Sequence, residues 1–126
     1  MRAYSVTQFG LEHLRSVELP APQPKPGTVV IKVHAVSLNY RDLLVVKGLY
    51  NPKMALPRIP CSDGAGEVVA IGEGVTRVQV GDRVCGLFMQ RWVDGSLTAE
   101  KSKAALGGDI DGMRSEEHTS ELQSPC

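Results

Sequence analysis

Three consecutive polar side chains, Asn39, Tyr40 and Arg41, follow the most regular apolar alternation in the chain. The Asn39 amide and the Tyr40 hydroxyl can each donate a hydrogen bond to a carbonyl oxygen, and donors aimed at developing negative charge polarise that carbonyl. Asn39 is equally well suited to cap a helix, because asparagine is favoured at the N-cap position. Asn39 is therefore compatible with polarising a carbonyl and with capping a helix, and one side chain at a helix N-terminus can perform both roles.

A glycine-rich stretch over residues 58–84, RIPCSDGAGEVVAIGEGVTRVQVGDRV, is the second candidate for chemistry. Dinucleotide-binding loops place Gly-x-Gly-x-x-Gly at a strand-to-helix turn, so that a helix N-terminus meets the pyrophosphate. Gly64 and Gly66 match the first two positions, but Val69 fills the third and the residues after Gly66 are β-branched, as in a strand. The stretch therefore favours a strand whose glycines let a neighbouring strand pass closely, followed by a turn at residues 72–74.

Composition limits the remaining classes of function. The chain has 126 residues, which fits one domain, and its 14 basic and 14 acidic residues leave zero net charge and no basic patch for nucleic acid. No apolar run approaches the roughly 20 residues that span a bilayer, so we expect no membrane partner and a cytoplasmic location. The three cysteines are too scattered for paired zinc-ligand spacing.

Local patterns predict the elements that precede the candidate residues. Residues 2–7 and 14–19 alternate like the strands of a hairpin. The proline-rich residues 20–27 predict a stiff connector, because proline fixes φ and removes a backbone donor. Residues 27–37 then predict a strand with one apolar face, which ends just before Asn39.

A short helix is predicted from Asn39 to a C-terminal cap at Gly48, with Asp42 in its first turn, where an acid favours the helix dipole. Further strands are predicted at residues 66–71 and 80–88. Loops are expected at residues 50–60 and 89–113.

Residues 114–126, RSEEHTSELQSPC, differ from the rest of the chain because they contain one aliphatic residue, Leu122, and three Glu against one Arg. Such a segment buries too little apolar surface to offset its ordering entropy, so disorder is predicted. Residues 114–124 also resemble the translation of a common high-throughput sequencing adapter. We therefore interpret the tail as a sequence artefact and place the domain at residues 1–113.

Three segments carry a family resemblance: AVSLNYRDLLVVKGLY, IPCSDGAGEVVAIGEGVTRVQVGDRV and TAEKSKAALGGDIDG. The residues of these segments, and the order of the segments in the chain, closely resemble those of medium-chain dehydrogenases/reductases. The resemblance covers nearly all of residues 1–112. It implies a mainly β fold, namely a partial GroES-like β-barrel with one short helix, which forms one wall of an active-site cleft. In the family a separate Rossmann domain holds the cofactor, and that domain is absent from this sequence.

The sequence departs from the zinc-dependent members of this family. Those members carry a cysteine where Asn39 stands, a His-Glu pair where Ser62 and Asp63 stand, and a proton-relay hydroxyl where Arg41 stands. Amide and hydroxyl groups are poor substitutes for thiolate and imidazole as zinc ligands. Residues 89–107, where many relatives hold a structural zinc, contain no cysteine. The resemblance thus implies a zinc-free member close to the quinone oxidoreductases, without a metal site.

The resemblance also assigns expected roles. In the intact parent it implies NAD(P)H-dependent hydride transfer to or from an alcohol, a carbonyl or an activated alkene, in a homodimer or homotetramer. Asn39, Tyr40 and Arg41 would contact the cofactor, with Asn39 and Tyr40 also acting as catalytic donors.

Tyr50 and Asp63 would contact a small-molecule substrate. Tyr50 is equally suited to packing in its proline-rich loop, and Asp63 to satisfying backbone groups near the glycines. Without a cofactor domain we expect the fragment itself to be inactive. The alternative is a non-catalytic GroES-like barrel that acts as an interaction module.

Overall fold

The computed structural model describes residues 1–125, in which most of the regular structure is β-strand and one α-helix is present. The elements are β1 (Arg2–Val6), β2 (Leu14–Glu18), β3 (Val29–Ser37), α1 (Tyr40–Lys47), β4 (Asp63–Ile71), β5 (Arg83–Gly86), β6 (Glu117–Ser120) and β7 (Gln123–Pro125). The strands form a two-stranded hairpin, β1-β2, and a five-stranded sheet in the order β6-β3-β4-β5-β7. The predicted mainly β fold with one short helix is confirmed, and the sheet is not a closed barrel. Over residues 1–125, no helix is long and apolar enough to cross a membrane.

The hairpin at the start of the chain packs against the end of α1. β1 and β2 pair antiparallel from Arg2 opposite Glu18 to Val6 opposite Leu14, as the alternation predicted. In the connection, the Gly10 N–H donates a hydrogen bond to the Val46 carbonyl at 2.8 Å. The two local elements are therefore joined by backbone contacts.

β4 is a strand along its whole length, so the glycine-rich stretch serves strand packing as predicted. A side chain at Gly66 would place its Cβ only 2.0 Å from the Lys32 carbonyl oxygen of β3, so glycine is required for this close approach. β4 begins at Asp63, earlier than predicted, because its pairing with β3 already starts at Ser37 opposite Asp63. β5 is shorter than predicted, since a turn in which the Asp82 N–H donates to the Gln79 carbonyl at 3.1 Å precedes it.

The hydrophobic core lies on one face of the five-stranded sheet. Its members are aliphatic residues of β3, β4, β5 and the preceding turn: Val29, Ile31, Val68, Val78 and Val84, with Val75 packed against them. Short β-branched side chains of this kind suit the pleated, buried surface of a sheet.

Residues 114–125 are not disordered, contrary to the prediction from composition. β6 pairs with β3 and β7 pairs with β5, and Leu122 between them is buried. The side chains of this segment bury little apolar surface, but its backbone is held by hydrogen bonds to two sheet edges that would otherwise be open. The boundary at residue 113 and the origin of the tail as a sequence artefact stay predictions, and Cys126 lies outside the described residues.

The segment predicted as a loop at residues 89–113 carries turns and isolated bridges rather than helices or longer strands. The Gln90 N–H donates to the Ala104 carbonyl at 3.1 Å, which closes the base of an exposed loop over residues 91–100. The residues after Ala104 return to the protein and pack beside α1 and the start of β4.

Candidate active site

Strand pairing brings Asn39 next to Asp63, which lies 24 residues later in the chain. Ser37 at the end of β3 is opposite Asp63, and Asn39 follows two residues beyond Ser37. The Asn39 Nδ2 donates a hydrogen bond to the Asp63 Oδ2 at 2.5 Å, and the Ser37 hydroxyl donates to the Asn39 Oδ1 at 3.4 Å. The amide of Asn39 is thus held at both ends, while its Nδ2 carries a second N–H that can donate to a ligand.

Asn39 also occupies the N-cap position of α1, with extended backbone dihedrals of φ −120° and ψ 156°. Its backbone N–H donates to the Asp42 carboxylate at 2.8 Å, which satisfies one of the free donors at the helix start. At the other end Gly48 adopts a left-handed φ of 76°, a conformation that favours glycine. The predicted helix boundaries are therefore confirmed at both ends.

Tyr40 begins the helix beside Asn39 and is 75% exposed. An exposed phenol can meet a ligand that approaches this end of α1, and its hydroxyl can both donate and accept hydrogen bonds. The structure thus places the two predicted donors, Asn39 and Tyr40, next to each other at the start of the helix.

Arg41 lies in a different environment from its two neighbours in sequence. Its guanidinium carbon is 4.5 Å from the centre of the Tyr50 ring and 4.6 Å from that of Phe88, so the cation lies against both aromatic rings. Its Nη1 donates to the Leu106 carbonyl at 3.0 Å, and its Nε and Nη2 are buried without a hydrogen-bond partner among the described residues. The predicted site residues Arg41 and Tyr50 therefore contact each other, and cofactor contact by Arg41 stays a prediction.

A glycine makes room for this arginine. A Cβ added to Gly108 would lie 2.5 Å from the Arg41 Nη2. Sequence reasoning missed Phe88, Leu106 and Gly108, because nothing in a single sequence shows which distant residues surround a side chain.

Cys61 lies just before β4, in a tightly packed backbone segment that carries Asp63. Among residues 1–125, Cys61 is the one non-glycine residue whose φ is positive, with a value of 78°. A Cβ added to Gly112 would lie 2.1 Å from the Cys61 carbonyl oxygen, so the 104–112 region packs directly on this segment. Burial and the nearby Asp42 carboxylate raise the pKa of the Cys61 thiol to about 12. The thiol is therefore protonated near neutral pH and is a poor nucleophile.

The residues at the implied zinc-ligand positions do not suit zinc. Asn39 donates an N–H directly to the Asp63 carboxylate, and Ser62, a buried neutral hydroxyl, is the third member of the set. Zinc favours thiolate, imidazole and carboxylate ligands, and this set contains one of those groups. Within residues 1–125, no group of three or more His, Cys, Asp or Glu side chains is placed to hold a metal ion.

Several known proteins are similar in sequence to this chain over most of its length. Residues 25–119 match the family described as "Alcohol dehydrogenase GroES-like domain". A zinc-type alcohol dehydrogenase-like protein of Schizosaccharomyces pombe is 43% identical over 104 residues, which cover 82% of this chain and 30% of the relative. A chloroplast envelope quinone oxidoreductase homolog of Arabidopsis thaliana is 44% identical over 88 residues, covering 68% of this chain and 26% of the relative.

Solved structures with the same fold include a mycobacterial protein complexed with NADPH. It superposes with a TM-score of 0.74 at 30% identity, over 100% of this chain and 34% of its own. The chain therefore spans about a third or less of the length of these similar proteins.

Proposed function

The chain belongs to the alcohol dehydrogenase GroES-like domain family, and from this membership we propose that it is the substrate-side domain of a nicotinamide-dependent oxidoreductase. The intact protein transfers a hydride to or from a carbonyl, an alcohol or an activated alkene. The relatives named as alcohol dehydrogenase and quinone oxidoreductase support this reaction class, and the similar structure with NADPH supports the cofactor.

The observation that carries this proposal is the hydrogen bond between the Asn39 amide and the Asp63 carboxylate at the exposed start of α1. Asp63 fixes the direction of the amide, so that the second Nδ2–H is oriented before a substrate arrives. A donor held in advance does not have to reorganise as negative charge develops on the substrate oxygen, which is why it stabilises a transition state. The Tyr40 hydroxyl supplies a second donor beside it.

The nicotinamide cofactor would supply the hydride in its reduced form, or accept it in its oxidised form. We propose that Asn39 and Tyr40 contact its nicotinamide end, since both are at the accessible end of α1. Tyr50 is about half exposed and contacts the substrate with its open face, while the Arg41 guanidinium supports the other side of its ring. Asp63 acts chiefly by orienting Asn39.

Substitutions in the full-length protein test the donor role. We expect Asn39→Ala to lower kcat by about 10²–10³-fold, as for the loss of one oxyanion donor. Asp63→Asn leaves the donor in place but loosens its orientation, so the decrease should be smaller. Thr76→Ala, at an exposed position after the turn at residues 73–74, serves as the matched control. An unchanged kcat in Asn39→Ala would exclude the donor role.

We propose that the protein works without zinc, because the donor set at the family's ligand positions does not suit the metal. Metal analysis of the purified protein should give well below one zinc per chain. Near-stoichiometric zinc that a chelator removes only slowly would contradict this proposal.

The coding sequence downstream of residue 113 in the source gene distinguishes an oxidoreductase from an interaction module. A strand followed by Gly-x-Gly-x-x-Gly and a helix supports the oxidoreductase, because that motif binds the pyrophosphate of a dinucleotide. An unrelated domain supports the interaction module. Assembly of the intact protein as a homodimer or homotetramer, and its cytoplasmic location, are part of the same proposal, and sedimentation and cell fractionation test them.

A further inference from the structure

The guanidinium of Arg41 lies against two aromatic rings that come from different parts of the chain. Its carbon atom is 4.5 Å from the centre of the Tyr50 ring, in the loop after α1, and 4.6 Å from that of Phe88, just after β5. A guanidinium is attracted to the faces of aromatic rings and stacks on them. Arg41 therefore joins the loop that carries a proposed substrate contact to the end of a strand in the sheet.

A backbone carbonyl orients the same side chain. The Arg41 Nη1 donates a hydrogen bond to the Leu106 carbonyl at 3.0 Å, and the Leu106 N–H donates in turn to the Phe88 carbonyl at 2.9 Å. The Arg41 side chain is thus held by a segment that a backbone hydrogen bond attaches to the end of β5.

No carboxylate neutralises the Arg41 cation within the part of the chain that the structure describes. Arg41 takes part in none of the ion pairs among residues 1–125, and its Nε and Nη2 are buried there without a hydrogen-bond partner. Buried charges are usually paired, because their desolvation is costly. The contacts that Arg41 makes instead are with rings, so its effect falls on the placement of those rings.

Of the two rings, that of Tyr50 depends more on Arg41. Phe88 is tied to Leu106 through its own backbone carbonyl, whereas Tyr50 lies in an irregular loop and is 49% exposed. The Tyr50 N–H donates to the Leu44 carbonyl at 3.2 Å, which holds the backbone but leaves the ring free to rotate. A half-exposed side chain populates several rotamers unless a neighbour holds it, and Arg41 is such a neighbour.

We propose that Arg41 is a positioning residue for substrate binding, which holds the Tyr50 ring in the orientation that receives the substrate. This inference rests on the function proposed above, in which the open face of Tyr50 contacts the substrate. The donor Asn39 is oriented by a different group, Asp63, so loss of Arg41 weakens substrate binding and leaves the chemical step unchanged. A change of this kind raises KM at constant kcat.

Steady-state kinetics of the full-length protein test the proposal. The probes are benzyl alcohol, benzaldehyde and cyclohexenone, one for each proposed substrate class, and the probe that is turned over fastest is used throughout. Arg41→Met keeps the length of the side chain but removes the planar cation. We expect the KM for the probe to rise about five- to tenfold, the upper range for the cost of immobilising one side chain on binding.

The same variant should leave kcat and the KM for the cofactor within about twofold of the parent protein, because neither depends on the Tyr50 ring. Lys47→Met removes a cation from the exposed end of the same helix and is the matched control. If Arg41→Met does not fold, Arg41→Lys takes its place, with a smaller rise in KM, because lysine keeps the charge but not the planar group. An unchanged KM in the folded Arg41 variant would overturn the proposal.

Removal of the Tyr50 ring distinguishes positioning from direct contact. In a Tyr50→Ala background, Arg41→Met should have little further effect on KM, because both substitutions act through the same ring. An equal rise in KM with and without the ring would overturn the proposal. A fall in kcat at constant KM, or a rise in the KM for the cofactor in place of the probe, would overturn it too.

Failure of this inference differs from failure of the proposed function. Absence of nicotinamide-dependent turnover with all three probes would refute the proposed function and this role of Arg41 with it. Turnover whose kcat falls in Asn39→Ala, but whose KM is unchanged in Arg41→Met, would refute the positioning role alone.

Discussion

Arg41 follows Tyr40 directly in the chain, yet the two side chains lie in opposite environments. Tyr40 is open to solvent, whereas the Arg41 guanidinium lies against the rings of Tyr50 and Phe88. Successive helical residues point about 100° apart, because a turn takes 3.6 residues. Adjacency in sequence does not mean a shared face on a helix, so Arg41 does not lie beside Asn39 and Tyr40. Cofactor contact by these three residues, which the family resemblance implies, stays a prediction.

The environment of Arg41 predicts that lysine cannot replace it. Arg41→Lys keeps the charge but loses the planar stacking between two rings and the hydrogen bond to the Leu106 carbonyl, so we expect a loss of about 1–2 kcal/mol in the free energy of unfolding. Urea denaturation measures this loss. Arg91→Lys, in the exposed loop, is the matched control and should change stability by less than about 0.5 kcal/mol. Equal effects of the two variants would exclude a structural role for the stacked guanidinium.

His118 predicts a dependence of stability on pH. Burial lowers its pKa from 6.5 to about 4, which means that the unfolded chain binds the proton more tightly than the folded chain. The stability that this group contributes is therefore present above pH 6.5 and is lost as the pH falls toward 4. The full loss corresponds to roughly 3 kcal/mol, because each tenfold difference in proton affinity between the two states is worth about 1.36 kcal/mol.

Urea denaturation between pH 7 and pH 5.5 tests this dependence in a range above the ordinary titration of carboxylates. In His118→Asn the slope over this range should be largely absent, because the titrating group is gone. The same slope in the variant and the parent chain would show that another group is responsible.

At the scale of elements, the local features could be predicted from the sequence and the distant pairings could not. The hairpin, β3 and the limits of α1 follow from alternation and from capping residues such as Asn39 and Gly48, which act within a few positions. The hydrogen bond between Asn39 and Asp63 depends on the β3–β4 register, which joins residues far apart in the chain. β6 and β7 were missed for the same reason, since their stabilisation comes from edges that other parts of the sequence create.

Gly66 makes a testable contribution to the β3–β4 pair. In Gly66→Ala the new Cβ would meet the Lys32 carbonyl oxygen, a backbone atom that cannot move without disturbing β3, so we expect a loss of about 3 kcal/mol or more. Val69→Ala changes an exposed side chain on the same strand and should cost less than about 1 kcal/mol. Thermal unfolding followed by circular dichroism compares the two. A Gly66→Ala protein as stable as the parent chain would contradict the close approach of the strands.

At the scale of the whole molecule, residues 1–125 place the proposed donors Asn39 and Tyr40 at the start of α1 and contain no strand, glycine loop and helix in the succession that binds the phosphates of a dinucleotide. The glycine-rich stretch forms β4 and a turn, and a phosphate site of the dinucleotide type requires a strand, a glycine loop and a helix N-terminus in succession.

The 126-residue chain should therefore not bind NADPH measurably, since most of the cofactor's binding groups have no partner in it. A titration followed by NADPH fluorescence tests this expectation, and the full-length protein from the source gene is the positive control. Saturable binding of NADPH to the 126-residue chain in the micromolar range would contradict it. Such binding would mean that this domain holds the dinucleotide by itself.

The hydrogen bond from Gln90 to Ala104 has a practical consequence for protein engineering. Because it holds residues 90 and 104, which flank the exposed 91–100 loop, next to each other, foreign sequence inserted within the loop would start and finish near the same point of the surface. Insertions succeed most often where the chain leaves and re-enters a domain in this way. An affinity tag or a fluorescent domain placed between Asp94 and Gly95 should thus report on this protein without changing the register that joins Asn39 to Asp63.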